Sequence, residues 1–566
     1  MSDEPLDESH LDDHPAEKHE PSSISPRLAG YLCPPAGIWL YWRAPKSGLA
    51  EKIFSTLALI AYSALYIIVG VWILKATGNV TVDWPGYGFP PGLAWASPSL
   101  SASNWEKSTA AIDANATGSW PGFRGAKRDG VYTNSAIRTD WDQSPPRLLW
   151  KTKVGEGHSS MTIAQGLVFT QEQRTEGEVV AAYNIADGKG VWNHIHQGEF
   201  TDKYGMGGKG PRSTPTWDDG HLYVISATGH LSCHNAMTGK VIWEKNIVEE
   251  YETRNLMFGM CAAPLVAGEK LIITAGAKAR GRKTVLALDK ATGKELWATE
   301  HGTQAYMSPM AVKLAGGEQL VITSGGEVLG LSPENGDALW SHRWSVSHGN
   351  NIAQPIAVRD EQIFISAGYN KGCALLQVTK EGDEFNVKEL WKNDRLKNKF
   401  TSSVLHESHL YGLDDQDDKR TALVCLEAAT GKEKWRGDDF GHGQLLLADE
   451  HLVILSEKGE IALVKASPKS FQQIARIPAL TGKTWNNPAI AGGHLYIRNS
   501  SEMVCYDISE GSTGGSTTVL FNTSQTMQVI AAGLGLMLLL GGGVLFAIAK
   551  IRGAASPTIP EDTASI

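Results

Sequence analysis

The sequence predicts an all-β fold, an eight-bladed β-propeller built from four-stranded antiparallel blades, on three observations. First, a phrase ending in tryptophan recurs. ALDKATGKELW at residues 287–297 returns as CHNAMTGKVIW at 233–243 and as CLEAATGKEKW at 425–435. It decays to AYNIADGKGVW (182–192) and GLSPENGDALW (330–340), and stretches to LQVTKEGDEFNVKELW (376–391). The closing residues Trp150, Trp192, Trp243, Trp297, Trp340, Trp391 and Trp435 stand 42 to 54 apart, a spacing typical of propellers and repeat arrays. Second, each copy follows a short strand that leads through a turn into another, as in STPTWDDGHLYVIS, AAPLVAGEKLIIT and AQPIAVRDEQIFIS; eight such lead-ins occur. Third, the last copy stops at SEMVCYDIS (501–509) without a closing Trp, and the missing strand stands at the other end as RLLWKTKV (147–154).

The parts of the repeat follow from local chemistry. Alternating apolar, β-branched and aromatic positions mark half-buried strands. The tip phrase is a hairpin in which an acceptor such as Asp289 bonds the backbone two residues on, and Gly293 supplies a left-handed turn. The Trp that ends it is a large flat surface to bury against a neighbouring sheet. One four-stranded sheet leaves two faces bare, so sheets must stack, and a ring of them leaves few edges. The strand at 147–154 is expected to complete the eighth blade. An open solenoid, the rival, predicts shorter repeats and no split last unit. The tip of the seventh unit, LVKASPKSFQQIAR (463–476), lacks both Gly and Trp, so that unit has the least distinct limits.

Composition agrees: 60 Gly and 18 Trp in 566 residues suit many tight turns and large packers. The net charge of −9 is mostly local, because residues 1–30 carry eight acids against Lys18 and Arg27 and the rest carries only about −3. An acidic tail argues against nucleic-acid binding. The six cysteines form no CxxC or CxxCH motif and no adjacent pair, which argues against c-type haem attachment and against a compact zinc site. Cys233, Cys425 and Cys505 hold the same place in three copies of the repeat, too far apart to bridge, and are expected as buried free thiols.

Residues 53–74 and 529–549 contain no charged residue and are each long enough to cross roughly 30 Å of hydrocarbon. Arg43, Lys46 and Lys52 precede the first, and Lys550 and Arg552 follow the second. The positive-inside rule then predicts a two-span protein of a bacterial cytoplasmic membrane, with both termini cytoplasmic and the propeller on the periplasmic side. The expected division is a tail and basic segment (1–52), a transmembrane helix (53–74), a linker (75–118), the propeller (119–509), a linker (510–528), a second transmembrane helix (529–549) and a tail (550–566).

The Asp, Thr-Gly-Lys and closing Trp of the tip phrase, with the lead-in SWPGFRGAKRDGV at 119–131, resemble the repeat of the PQQ-like β-propellers. That family includes the quinoprotein alcohol dehydrogenases and the propeller subunit of the outer-membrane β-barrel assembly machinery. The first group implies pyrroloquinoline quinone (PQQ) with calcium; the second implies a non-catalytic scaffold with envelope or membrane protein partners. The vicinal cysteine pair and haem motif of the dehydrogenases are missing, and their calcium ligands and Asp base match no position here. The sequence therefore favours a non-enzymatic binding or scaffold module, with a PQQ-dependent membrane oxidoreductase as the alternative.

A propeller presents its central funnel at the residues just before each innermost strand. Those positions are polar here: His158, Arg212, Tyr306, Asn351, Gln354, Lys399, His442, Gln444, Trp485 and Asn487. Two fixed cations and two histidines suit a small anionic or carboxylate-rich ligand, with Trp485 as a stacking plate. The same residues also suit a watery channel whose groups satisfy one another. GMGGKGPR (205–212) offers backbone N–H groups to an anion, whereas LDDQDDKR (413–420) lacks the spacing and glycine of a calcium loop. No catalytic residue and no metal ligand is assigned.

Overall fold

The computed structural model describes residues 100–512 apart from 103–104, 117, 203, 276–282, 303–305 and 417–419. Eight antiparallel sheets follow one another along the chain, each with its strands in simple meander order. Blade 1 comprises Thr162–Ala164, Leu167–Arg174, Gly177–Asn184 and Gly190–His196. Blade 2 runs from Thr216–Asp218 to Val241–Asn246, blade 3 from Leu265–Ala267 to Glu295–Thr299, and blade 4 from Met310–Leu314 to Ala338–Arg343. Blade 5 runs from Ile356–Arg359 to Glu384–Asn393, blade 6 from Val404–His406 to Glu433–Arg436, and blade 7 from Gln444–Ala448 to Gln473–Pro478.

Blade 8 is shared between the two ends of the propeller. Ala489–Ala491, His494–Arg498 and Glu502–Asp507 come last, and Arg147–Lys153 adds the outermost strand, with Trp150 opposite Cys505 and Lys151 opposite Val504. The ring is therefore closed as expected.

The apolar core lies between sheets rather than at one centre. One cluster joins Tyr223, Leu231 and Cys233 of blade 2 to Leu271, Leu286 and Leu288 of blade 3; similar clusters fill other seams. The closing tryptophans fasten these seams. The indole N–H of Trp192 donates to the carbonyl of Ala236 (2.8 Å), Trp243 to Lys290 (3.0 Å), Trp391 to Ala428 (3.0 Å) and Trp435 to Ser467 (2.8 Å), each in the tip of the following blade. Under Trp192, Trp243 and Trp391 lies the tip glycine of that following blade, Gly239, Gly293 and Gly431, whereas the blade 7 tip beside Trp435 has none and offers Phe471. A Cβ on Gly293 would stand 2.8 Å from Trp243, and its φ of +69° already disfavours any other residue.

Trp340 is the exception that explains the rule. Blade 5, its neighbour, has the stretched hairpin in place of the compact phrase, so Trp340 turns back and donates to Gln319 of its own sheet (2.6 Å). Its ring then covers Gly330, where a Cβ would come within 2.1 Å.

Two features go beyond the expected pattern. Val131–Tyr132 pairs in parallel with Gln444–Ala448, giving blade 7 a fifth strand on its inner edge. Described residues before 119 also pack on blade 1: Trp105 is buried edge-on to Tyr183 beneath Arg174, and Ser108 N–H donates to Gly190. Cys233, Cys373, Cys425 and Cys505 are buried free thiols, and Cys261 is partly buried.

The two-span placement in a cytoplasmic membrane requires correction. Among the described residues no helix is long and apolar enough to cross a bilayer. The α-helix described, Ile247–Glu250, has four residues, where a crossing takes about 20. The segments 53–74 and 529–549, on which the transmembrane helices at each end were expected, lie outside the described residues.

Candidate functional site

The polar positions before the innermost strands divide into three groups. The first ties blades together. Ser160 N–H donates to Thr214 Oγ1 (3.2 Å), Ala263 N–H to Ser308 Oγ (2.9 Å), Ser308 N–H to Gln354 Oε1 (3.1 Å), Gln354 N–H to Ser402 Oγ (2.9 Å), and Asn487 N–H to Ser160 Oγ (2.7 Å). Each bond runs from one blade to the next, so Gln354 and Asn487 belong to a circumferential belt. Gln444 Nε2 donates across a seam to Phe400 (2.8 Å), and Asn351 donates to the carbonyls of Ser324 and Trp344. Tyr306 is buried against Phe258.

Behind this belt the lead-in segment fills the middle of the ring. Trp120 and Ile163 of blade 1 exchange backbone hydrogen bonds, Pro121 accepts from Trp217 of blade 2, and Gly130 accepts from Leu447 of blade 7. Arg124 donates to Ser403 (2.7 Å) and Leu445 (3.3 Å); Arg128 donates to Ala263 (3.1 Å), Pro309 (3.0 Å) and Pro264. Both guanidiniums are buried, and burial lowers their pKa values to about 10 and about 9. These arginines gather carbonyls from four blades, 3, 4, 6 and 7.

The second group is an ionic cluster at blades 6 to 8. His442 donates to Asp415 (3.1 Å) and lies 3.6 Å from Glu457, while Lys399 Nζ stands 3.5 Å from Asp415. Trp485 donates its indole N–H to Glu457 (2.8 Å). Burial pulls the His442 pKa down, but the two carboxylates outweigh it and raise it to about 9. Its hydrogen bond to His442 holds Glu457 at about 2. His442 is therefore a fixed cation here and unsuited to acid–base work at neutral pH.

Asp415 and Glu457 were invisible to a search of strand beginnings. Asp415 ends the second strand of blade 6, His409–Asp415, and Glu457 follows the second strand of blade 7, His451–Leu455. First and second strands are antiparallel, so the end of one stands beside the start of the other. The usable signal was the last residue of each second strand, read together with the first strand's approach.

The third group surrounds the loop at 201–209. Asp202 accepts from the backbone N–H groups of Tyr204, Met206 and Gly207, and Arg212 braces it at 3.6 Å while donating to Gly210 (2.8 Å) and Gly208 (3.0 Å). Arg212 thus holds a loop in shape. Tyr204 and Met206 project from it with 62% and 56% of their surface exposed. At its foot is a cavity of about 260 Å³ lined by Glu156, His158, Lys209, Lys483 and Ser500, among others. His158 donates Nε2–H to Gly207 (2.5 Å), and burial, assisted by Arg212, lowers its pKa to about 4.

These residues do not fit PQQ with calcium. Trp485, the expected stacking plate, is covered by Phe400 at 4.9 Å and His158 at 5.4 Å, with Lys483 Nζ 3.5 Å from the ring centre. Arg212 and Lys399 face carboxylates already.

Comparison with known proteins agrees with the repeat. The model of the family described as "Outer membrane protein assembly factor BamB" matches residues 95–202, 176–437 and 388–527. Proteins of that name from Nitrosomonas eutropha and Yersinia pestis are each 24% identical, over 43% and 66% of this chain. The chain spans 55% of the Nitrosomonas protein and 92% of the Yersinia protein. Both names refer to the outer membrane, in contrast to the cytoplasmic membrane expected from the hydropathy. Among solved structures, a quinohemoprotein alcohol dehydrogenase from Comamonas testosteroni superposes with a TM-score of 0.53 at 12% identity, over 70% of this chain and 82% of that one, which is a likeness of fold. With the family model spanning the whole propeller, the chain belongs to the outer membrane protein assembly factor BamB family.

Proposed function

We propose that the chain is a non-catalytic scaffold that binds envelope protein partners through the face bearing the 201–209 loop. The observation that carries this reading is the loop itself. Two large apolar side chains, Tyr204 and Met206, are exposed on a short segment whose backbone is fixed by Asp202 and Arg212. Aromatic and Met side chains are enriched at interfaces, and a backbone already fixed in shape lowers the ordering cost of binding. Family membership supports a partner among proteins of outer-membrane assembly. A small anionic ligand, if one is used, fits the adjoining cavity, where Lys209 and Lys483 supply charge.

Photo-crosslinking in living cells tests the reading. A crosslinker at position 204 or 206 is expected to give a discrete adduct with an envelope protein, and Tyr204→Ala with Met206→Ala to weaken that partner's binding at least tenfold. The reading is wrong if adducts form only from the equally exposed Leu296 on an outermost strand.

A further inference from the structure

The face of blade 2 turned toward blade 1 breaks the pattern of the repeat. In each blade one residue of the third strand stands opposite the closing tryptophan: Cys233, Ala287, Gly330, Leu375 and Cys425 in blades 2 to 6. The residues on either side of it in blades 3 to 6 are Leu286 and Leu288, Leu329 and Leu331, Ala374 and Leu376, and Val424 and Leu426, all buried and apolar. Blade 2 puts Ser232 and His234 there, both wholly buried. Across the seam the outermost strand of blade 1 ends in Asn-His-Ile-His, and the two-residue period of a strand sends His194 and His196 to one face.

One ring nitrogen from each of His194, His196 and His234 lies within 4.8 Å of the others. His234 Nδ1 is 3.2 Å from the carbonyl of Gly239, so that nitrogen carries the hydrogen and Nε2 is left as a bare lone pair. Nε2 of His234 and Nε2 of His196 both approach the hydroxyl of Ser232, at 2.8 and 3.2 Å. One hydroxyl has one hydrogen to give. His196 Nδ1 is also buried without a hydrogen-bond partner. Buried imidazole nitrogens left short of donors are costly where the other blades place leucine.

We propose that His194, His196 and His234 bind a divalent transition-metal ion of the zinc class at the seam of blades 1 and 2. Three imidazoles are a common zinc donor set and select such ions over calcium or magnesium. Burial lowers the pKa of each ring, and neighbouring imidazoles add to this for His196 and His234, which favours the neutral form that ligates. Glu244, 3.7 Å from His194 Nε2 and largely exposed, or a water completes a fourth position. His194 is only partly buried and opens the route from solvent. Ligand nitrogens around a tetrahedral zinc stand about 3.4 Å apart, so nitrogens that lie within 4.8 Å of one another must draw closer to close the set. Bound metal would clamp one blade to the next where a leucine contact is missing.

The test uses the full chain, untagged and stripped with a chelator, in a background where His10, His14 and His19 are alanine so that tail histidines do not contribute. Zinc titrated by calorimetry is expected to bind at one ion per chain, and cobalt(II) in its place to give the intense visible bands of a tetrahedral site. His194→Ala, at a partly exposed ligand, should weaken zinc at least tenfold and remove those bands. His234→Leu restores the residue found in blade 3 and should abolish binding while the thermal midpoint of the metal-free protein holds or rises. Absence of stoichiometric zinc, or binding unchanged by His194→Ala, overturns the proposal.

Discussion

The indole N–H of Trp150 donates to the carbonyl of Ile185 at 2.7 Å, although Trp150 completes the last blade and Ile185 belongs to the first. The ring is thus sealed twice, by strand pairing within blade 8 and by the Trp contact across the final seam. Trp150→Ala deletes a buried indole and reopens that seam, for an expected cost of about 3–5 kcal/mol. Because repeat proteins can unfold in parts, the measurement is urea denaturation followed by two probes. A midpoint equal to wild type would show that strand pairing alone closes the ring.

The partnership of tip glycine and preceding tryptophan separates two roles of one residue type. Gly293 and Gly382 both have positive φ, +69° and +62°, but only Gly293 lies under an indole, that of Trp243. Gly382→Ala should cost about 1 kcal/mol from backbone strain alone. Gly293→Ala should cost roughly 2–4 kcal/mol, since the new methyl must also displace a packed ring. Equal losses in thermal stability would mean that the glycine is kept for its backbone only.

That contact also shows why so much of the fold was legible in the sequence. In most seams the Trp that reaches into the next blade is met by Gly at a fixed place in the next tip, so the repeat writes those seams twice. Where the second copy is missing, as in the stretched hairpin beyond Trp340, the chain compensates with Gly330 and Gln319, local residues that no period announces. The site was less legible for a geometric reason. Strand beginnings named Lys399, His442 and Trp485, but the carboxylates that partner them, Asp415 and Glu457, arrive from the ends of other strands. Likewise His194 and His196 meet His234 only because two blades face each other across a seam.

The ionic cluster makes stability depend on pH in a defined sense. The His442 pKa is raised to about 9, so its contribution is complete below the ordinary histidine value and is lost as pH rises through 9. Glu457 is held at about 2, so its contribution is complete above the ordinary carboxylate value and is lost as pH falls toward 2. The window common to both lies at about pH 5–6.5. His442→Gln should cost most there, with the difference from wild type shrinking by on the order of 2–3 kcal/mol by about pH 10. Thermal midpoints of the two proteins across that range check the prediction; parallel profiles would contradict it.

The lead-in segment supplies the last prediction. Arg128 is buried with a hydroxyl and three backbone carbonyls around it, those of Ala263, Pro264 and Pro309, and no ion-pair partner is recorded for it among the described residues. Its charge is expensive to bury, and burial lowers its pKa to about 9, yet its fork of donors satisfies carbonyls of blades 3 and 4 that face the axis. Arg128→Met fills the volume but strands those acceptors, for an expected loss of about 3 kcal/mol. Arg128→Lys keeps the charge without the planar fork and should recover only a minor part. If the segment is the plug that unites the blades, both variants should also expose residues 119–131 to limited proteolysis before the rest of the propeller is cut. Wild-type resistance in Arg128→Met would mean that Trp120 and Arg124 hold the segment without it.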